Sequence, residues 1–257
     1  MTHPLKWLAL VALDHAELPR FDGIAARHAA RFPEAPPLHA ASSTDKLHTL
    51  TIGGLTAAVT LVPRPIPWSQ LEGPAATAWY WPQAAVQLRN HQAHLLVTLI
   101  DEGGSATEKA TVLTRLTSAM AETASSVGVF WGPGRLVHPV AAFIEQAEDI
   151  RETNLPLFLW IDFRVESLDD GGVRAYTTGL EALGQSEIEV RRFAGEPQAL
   201  LGHLYNLAHY LLDRKQVIRD GDTIGLADDL SVTVRRERSM LGGELEVLRL
   251  EFDAAGG

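Results

Sequence analysis

The sequence contains no cysteine, and that absence removes disulfides, thiolate metal ligands and thiol nucleophiles from consideration. It fits a reducing compartment, so a cytoplasmic protein is expected. No apolar run approaches the roughly 20 residues needed to cross a bilayer, and no membrane partner is expected. The apolar stretch from Leu8 to Leu13 stops at Asp14 and lacks a small-residue cleavage site, so it reads as a first strand and not as a signal peptide. Positive charge is also in deficit. Lys and Arg number 22 against 32 Asp and Glu, a formal net charge of −10, the wrong sign for neutralising a phosphate backbone. Residues 151–257 carry 12 basic against 19 acidic side chains, and residues 1–150 carry 10 against 13. The one dense basic cluster, Arg235-Arg-Glu-Arg238, follows Val232 and Val234 in alternation and reads as a solvated strand edge. No nucleic-acid partner is expected. Missing too are a P-loop, a G-x-G-x-x-G fingerprint, an H-E-x-x-H helix and a G-x-S-x-G elbow.

What is present is a chain of 257 residues, 46% apolar and 21% charged, the composition of a globular protein with a substantial core. Lys6 to Leu13 predicts a strand, and Glu17 to Phe32 a helix with Phe21, Ile24, Ala25, His28 and Phe32 on one stripe and Arg20, Arg27 and Arg31 turned away. Leu47 to Ile52 and Leu55 to Val62 flank Gly53-Gly54, a hairpin turn. A helical region from about Leu71 to Asn90 is interrupted at Pro82, and His94 to Ile100 is apolar on both faces, as a central strand should be. Ser105 and Glu108 have capping-box spacing at the head of a helix, Val127 to Trp131 is a strand, and Val140 to Ile150 a short helix. This order predicts a split βαβ, ferredoxin-like sheet with helices on one face. The second half predicts strands over Leu157 to Val165, Val173 to Thr178 and Ile188 to Phe193, a helix over Pro197 to Asp213, further strands over Thr223 to Leu226, Leu230 to Val234 and Leu245 to Phe252, and a frayed end at Ala254 to Gly257. The polar segment Glu148 to Asn154 places a boundary there, giving residues 1–152 and 153–257. The fold class expected is α+β, each sheet covered by helices.

The segment Ala175 to Val190 is the one that core-building alone does not explain. Tyr176, Thr177, Thr178 and Gly179 can gather hydroxyls and backbone N–H groups around an anion, and Gly184 allows a second turn. Gly179 must redirect the chain, so either a positive φ or a close approach by a neighbouring segment is expected there. Glu187 and Glu189 alternate onto one strand face with Arg191, which reads as a solvated, charge-paired face; as acid and base they would need a cleft and a raised pKa. His91 and His94 are three apart, a spacing seen in zinc sites, yet a third ligand would have to come from Asp101 or His138. The simpler reading has His94 opening a buried strand and His91 at a helix C-terminus. No cofactor is expected. Trp79-Tyr-Trp-Pro82 concentrates aromatic area that reads first as core or domain-junction packing, while exposed rings would suit a partner interface.

Thr44-Asp-Lys46, Pro63-Arg-Pro-Ile-Pro67, Asn90 to Leu99, Gly128-Val-Phe-Trp131 and above all Tyr176-Thr-Thr-Gly-Leu180 with Gly184 and Glu187-Ile-Glu189 resemble a bacterial family of uncharacterised proteins, the domain of unknown function DUF 4261. The resemblance implies an α+β fold and a bacterial cytosolic protein, and it transfers no catalytic residue. The function expected is a non-enzymatic protein-binding module, of a regulatory or immunity type, whose acidity speeds association with a basic protein. Tyr176 to Gly179, Gly184, Glu187, Glu189 and Trp131 are its candidate contact residues. The alternative is a small-molecule enzyme or sensor with a pocket at the junction of the halves, floored by the Tyr176 to Gly184 loop near His94, Trp131 and Glu187. Oligomeric state is open.

Overall fold

The computed structural model describes residues 7–100, 103–151, 153–214, 218–227 and 230–252. The expectations at Lys6, Asp101 and Ala254 to Gly257 lie outside them. The chain forms two compact units, Met1–Trp160 and Ile161–Gly257.

The first unit runs β1 (Leu8–Leu13), α1 (Phe21–Arg31), β2 (His39–Ser43), β3 (Leu47–Ile52), β4 (Leu55–Val62), α2 (Trp68–Thr77), α3 (Ala84–Arg89), β5 (Ala93–Leu99), α4 (Ala106–Thr123), β6 (Ser126–Trp131), β7 (Leu136–His138), α5 (Val140–Glu148) and α6 (Leu157–Trp160). Its sheet has the order β2-β3-β4-β5-β1-β6-β7, antiparallel throughout. Within it, β1-α1-β4-β5-α4-β6 and the spatial order β4-β5-β1-β6 make up the ferredoxin-like arrangement that the block order predicts. The hairpin turn at Gly53-Gly54 has both glycines at positive φ, with Ile52 paired to Leu55. Ser105 and Glu108 close their capping box at the start of α4.

Several elements depart from expectation, each for a physical reason. Helices cover both faces of the sheet and not one. Leu10 and Ala12 pack with Leu71, Ala75, Trp81, Ala84 and Leu88 of the α2–α3 region, while the alternate residues Ala9, Val11 and Leu13, also buried, point to the opposite face. Both faces of β1 are apolar, so both require a lid. The first helix starts at Phe21 because Pro19 and the extended Arg20 precede it. Arg31 is not turned away: it pairs with Glu122 on α4 and Glu148 on α5. Leu157–Trp160 is a helical turn and not the start of a strand; the Trp160 indole N–H donates to Thr114 Oγ1 on α4 at 2.8 Å, which ties this turn to the first unit.

The second unit comprises β8 (Asp162–Ser167), β9 (Val173–Thr178), β10 (Ile188–Phe193), α7 (Pro197–Arg214), β11 (Thr223–Ala227), β12 (Leu230–Arg238) and β13 (Glu246–Phe252). The sheet order is β11-β12-β13-β10-β9-β8. The β10–β13 pair is parallel and the others are antiparallel, because α7 carries the chain across before β11, β12 and β13 meander back. Leu200, Leu204, Leu207, Ala208 and Leu211 are buried along one stripe of α7, at the spacing that presents one helix face to a sheet.

Candidate functional site

The Tyr176 to Glu189 segment is built around one carboxylate. β9 ends at Thr178, and Gly179 turns the chain with φ +122°, a region essentially open only to glycine. The connector coils back on itself: Leu183 N–H and Gln185 N–H both bond to Leu180 O. Leu180 and Leu183 are buried, so the connector is plugged into the core and does not stand off it. Gly184 completes the turn at φ +82°. Into the space so formed comes Glu187, 5% exposed. Its Oε1 accepts from Gly179 N–H at 2.7 Å and from Glu181 N–H at 3.0 Å. Its Oε2 accepts from the Thr177 hydroxyl at 2.7 Å, and Thr177 Oγ1 in turn accepts from Ile188 N–H at 2.8 Å. The anion that the hydroxyl and backbone donors of this loop were expected to gather is therefore the chain's own.

Glu189 does the same for another turn. It is 2% exposed and accepts from Met240 N–H at 2.9 Å and from the Ser239 hydroxyl, pinning the segment that follows β12. The solvated strand face expected for Glu187 and Glu189 is thus corrected: both are buried acceptors, two residues apart, each bracing one loop. Tyr176 is paired across the strands with Glu189 and half-buried, and burial followed by the Glu166 charge raises its phenol pKa. Thr177 is buried and Thr178 partly so.

The basic cluster of β12 is not on an edge strand, since β11 flanks it. Its charges are matched across strands. Arg235 pairs with Glu251 at 3.2 Å, Arg236 with Glu246 at 2.7 Å, and Glu237 with Arg249 at 2.9 Å and Arg191 at 3.1 Å.

In the first unit His91, His94 and His138 are held by backbone. His91 Nε2 accepts from Ile66 N–H at 2.7 Å, so Nδ1 carries the proton and donates to Leu88 O. Both ring nitrogens are engaged, at the end of α3 where the simpler reading placed this residue. His94 donates from Nδ1 to Arg64 O at 2.8 Å, and burial lowers its pKa. His138 donates from Nε2 to Leu159 O at 3.2 Å, and burial lowers its pKa to about 4. Among the described residues no group of three His, Asp or Glu side chains has the geometry to hold a metal ion. Trp131 is fully buried and packs on Phe143 with ring centroids 6.4 Å apart.

Two features emerge only in three dimensions. Trp79 is 72% exposed and meets Tyr80 edge to face at 5.6 Å. Tyr80 is anchored from below: its hydroxyl donates to Val137 O at 2.9 Å, and its ring stacks on His138 with centroids 5.8 Å apart. The third aromatic of that run, Trp81, is buried in the core. The signal was legible as an aromatic run, but not which ring faces solvent. In the second unit, α7 and β11 line a cleft of about 460 Å³ with Asn206, Tyr210, Asp222, Thr223 and Ile224; none of the candidate contact residues expected from the sequence lies there.

Residues 176–251 match the model of a family described as a domain of unknown function (DUF4261), a stretch that opens at Tyr176 and ends within β13. No curated protein and no solved structure matches the chain. Among the described residues no helix is long and apolar enough to cross a membrane.

Proposed function

We propose that this DUF4261-bearing chain is a protein-binding module of a bacterial cytosol, of a regulatory or immunity type, and that Trp79 and Tyr80 of its first unit form the centre of its contact surface. The observation that carries the reading is a tryptophan left 72% exposed above a tyrosine fixed by a hydrogen bond and a stacked ring. Burying a large apolar side chain returns up to about 3 kcal/mol, so an exposed indole on a braced platform holds interaction energy in reserve. Tryptophan and tyrosine dominate binding hot spots, and a surface ordered in advance loses little entropy on association. The net charge of −10 favours a partner with a basic surface, captured quickly at low salt.

Affinity capture with the full chain at low and high salt tests this, followed by binding between the two purified proteins. A basic partner held by the native chain and lost by Trp79→Ala at an unchanged melting temperature is the expected result. Recovery of no partner at either salt, or equal binding by the variant, contradicts it.

A second reading, a small-molecule enzyme or sensor, draws support from the α7–β11 cleft of about 460 Å³, the size of a small-ligand site. A metabolite that raises the melting temperature of the native chain, but not of Ile224→Trp, is the outcome it requires.

A further inference from the structure

At the open edge of the first sheet, β2 and β3 set Ser43 opposite His48 as cross-strand partners. Ser43 Oγ lies 2.8 Å from His48 Nδ1. The other ring nitrogen, Nε2, lies 2.9 Å from the carbonyl oxygen of Pro19. A carbonyl can only accept, so Nε2 carries the proton and Nδ1 offers its lone pair to the Ser43 hydroxyl. That is the tautomer a general base needs. Phe21 steadies the ring edge-on, with centroids 6.3 Å apart. His48 is 3% exposed, whereas Ser43 belongs to a strand exposed along its whole length. An accessible hydroxyl is therefore bonded to a buried, oriented imidazole.

The backbone adds a donor. Thr44 N–H bonds to Leu47 O at 2.9 Å. Bonded and non-bonded pairs alternate along an antiparallel ladder, so Ser43 and His48 form a non-bonded pair, and Ser43 N–H points away from β3. Since β2 is the terminal strand of the sheet, that N–H faces the open edge beside its own Oγ.

We propose that Ser43 and His48 are a nucleophile–base pair, positioned by the Pro19 carbonyl, that hydrolyses small activated esters reaching the β2 edge. Ser43 Oγ adds to the ester carbonyl carbon as its proton passes to His48 Nδ1, and Ser43 N–H donates to the developing oxyanion. The bond to the leaving alcohol breaks, the alcohol takes the proton from His48, and the acyl group stays on Ser43. Water then adds to the acyl carbon, giving a proton to His48, which returns it to Ser43 Oγ as the carboxylic acid departs. A carbonyl supports the imidazolium less than a carboxylate would, so acylation is the step to observe. The site is independent of the Trp79 surface.

The test incubates the purified full chain with a fluorophosphonate, maps the adduct by mass spectrometry, and follows p-nitrophenyl acetate for a burst of p-nitrophenolate. The expected result is an adduct on Ser43 in preference to other exposed serines, with a burst approaching one equivalent that Ser43→Ala abolishes. Base catalysis is worth about a hundredfold or more, so His48→Gln should slow labelling of Ser43 by about that factor in protein whose circular dichroism is native. Should His48→Gln not fold, His48→Asn replaces it, with the same loss of labelling rate expected. No adduct on Ser43, an adduct shared equally with other exposed serines, or a rate indifferent to the substitution of His48 overturns the proposal.

Discussion

The carboxylate of Glu187 lies 2.7 Å from the backbone nitrogen of Gly179, eight residues earlier, so the turn that looks ready for a ligand is closed by its own chain. Removing the carboxylate leaves the N–H groups of Gly179 and Glu181 and the Thr177 hydroxyl without their acceptor. Each buried donor left unpaired costs about 1–3 kcal/mol. Glu187→Ala should therefore destabilise the protein by about 2–4 kcal/mol in urea denaturation, and Glu187→Gln, which keeps one acceptor oxygen, by less.

Gly179 holds φ at +122°, where a β-carbon is strained. Gly179→Val should cost about 1–3 kcal/mol, read as a lower denaturation midpoint with an unchanged slope.

His28 gives the protein an acid-sensitive core. Burial first, then the Arg115 charge, lowers its pKa to about 4, and its Nε2 has no hydrogen-bond partner among the described residues. In the unfolded chain the ring takes up a proton near pH 6.5. A depressed folded value means that the unfolded state binds more protons below that point. The stability is complete above about pH 6.5 and is lost as the pH falls towards 4. His138, also lowered to about 4, acts in the same window. His28→Leu should flatten the dependence of melting temperature on pH between 6.5 and 4, corresponding to at most about 1.4 kcal/mol per pH unit.

Arg31 fastens α1 to two other helices, donating from Nε to Glu122 at 3.0 Å and pairing also with Glu148. A third of its side chain is exposed, so solvent screens the pair. Arg31→Met should cost about 1 kcal/mol at low salt and less at high salt. Arg31→Lys should not restore it, because an ammonium cannot reproduce the forked contact with Glu122.

Long apolar blocks made much of the fold legible. The alternation of β3 and β4, the two-faced apolar β5 and the leucine stripe of α7 each point to one structure by period alone. The strand His39–Ser43 carries no apolar alternation and is exposed along its length; it is held by pairing with β3, which local pattern does not encode. The Ser43–His48 pair was hidden with it. Leu157-Phe-Leu-Trp160 is apolar enough for a buried strand, yet a tertiary hydrogen bond from Trp160 to Thr114 accompanies a helical turn. The neighbours of Gly179 point to a strained turn and leave open whether by positive φ or by close approach; the backbone takes the positive φ. The burial of Glu187 and Glu189 was not legible, because a glutamate on a strand is normally solvated, and the donors that capture Glu189 come from residues about fifty positions away.

If binding resides in the exposed aromatic pair while the Glu187 loop serves stability, two variants separate the roles. The most direct measurement is partner affinity, by calorimetry, for Trp79→Ala and Glu187→Gln beside the native chain, each with its melting temperature. Trp79→Ala should weaken binding by 2 kcal/mol or more, about thirtyfold, with stability unchanged, and Glu187→Gln should lower the melting temperature while the folded protein binds as before. Loss of affinity in Glu187→Gln with Trp79→Ala binding normally would contradict this division of roles.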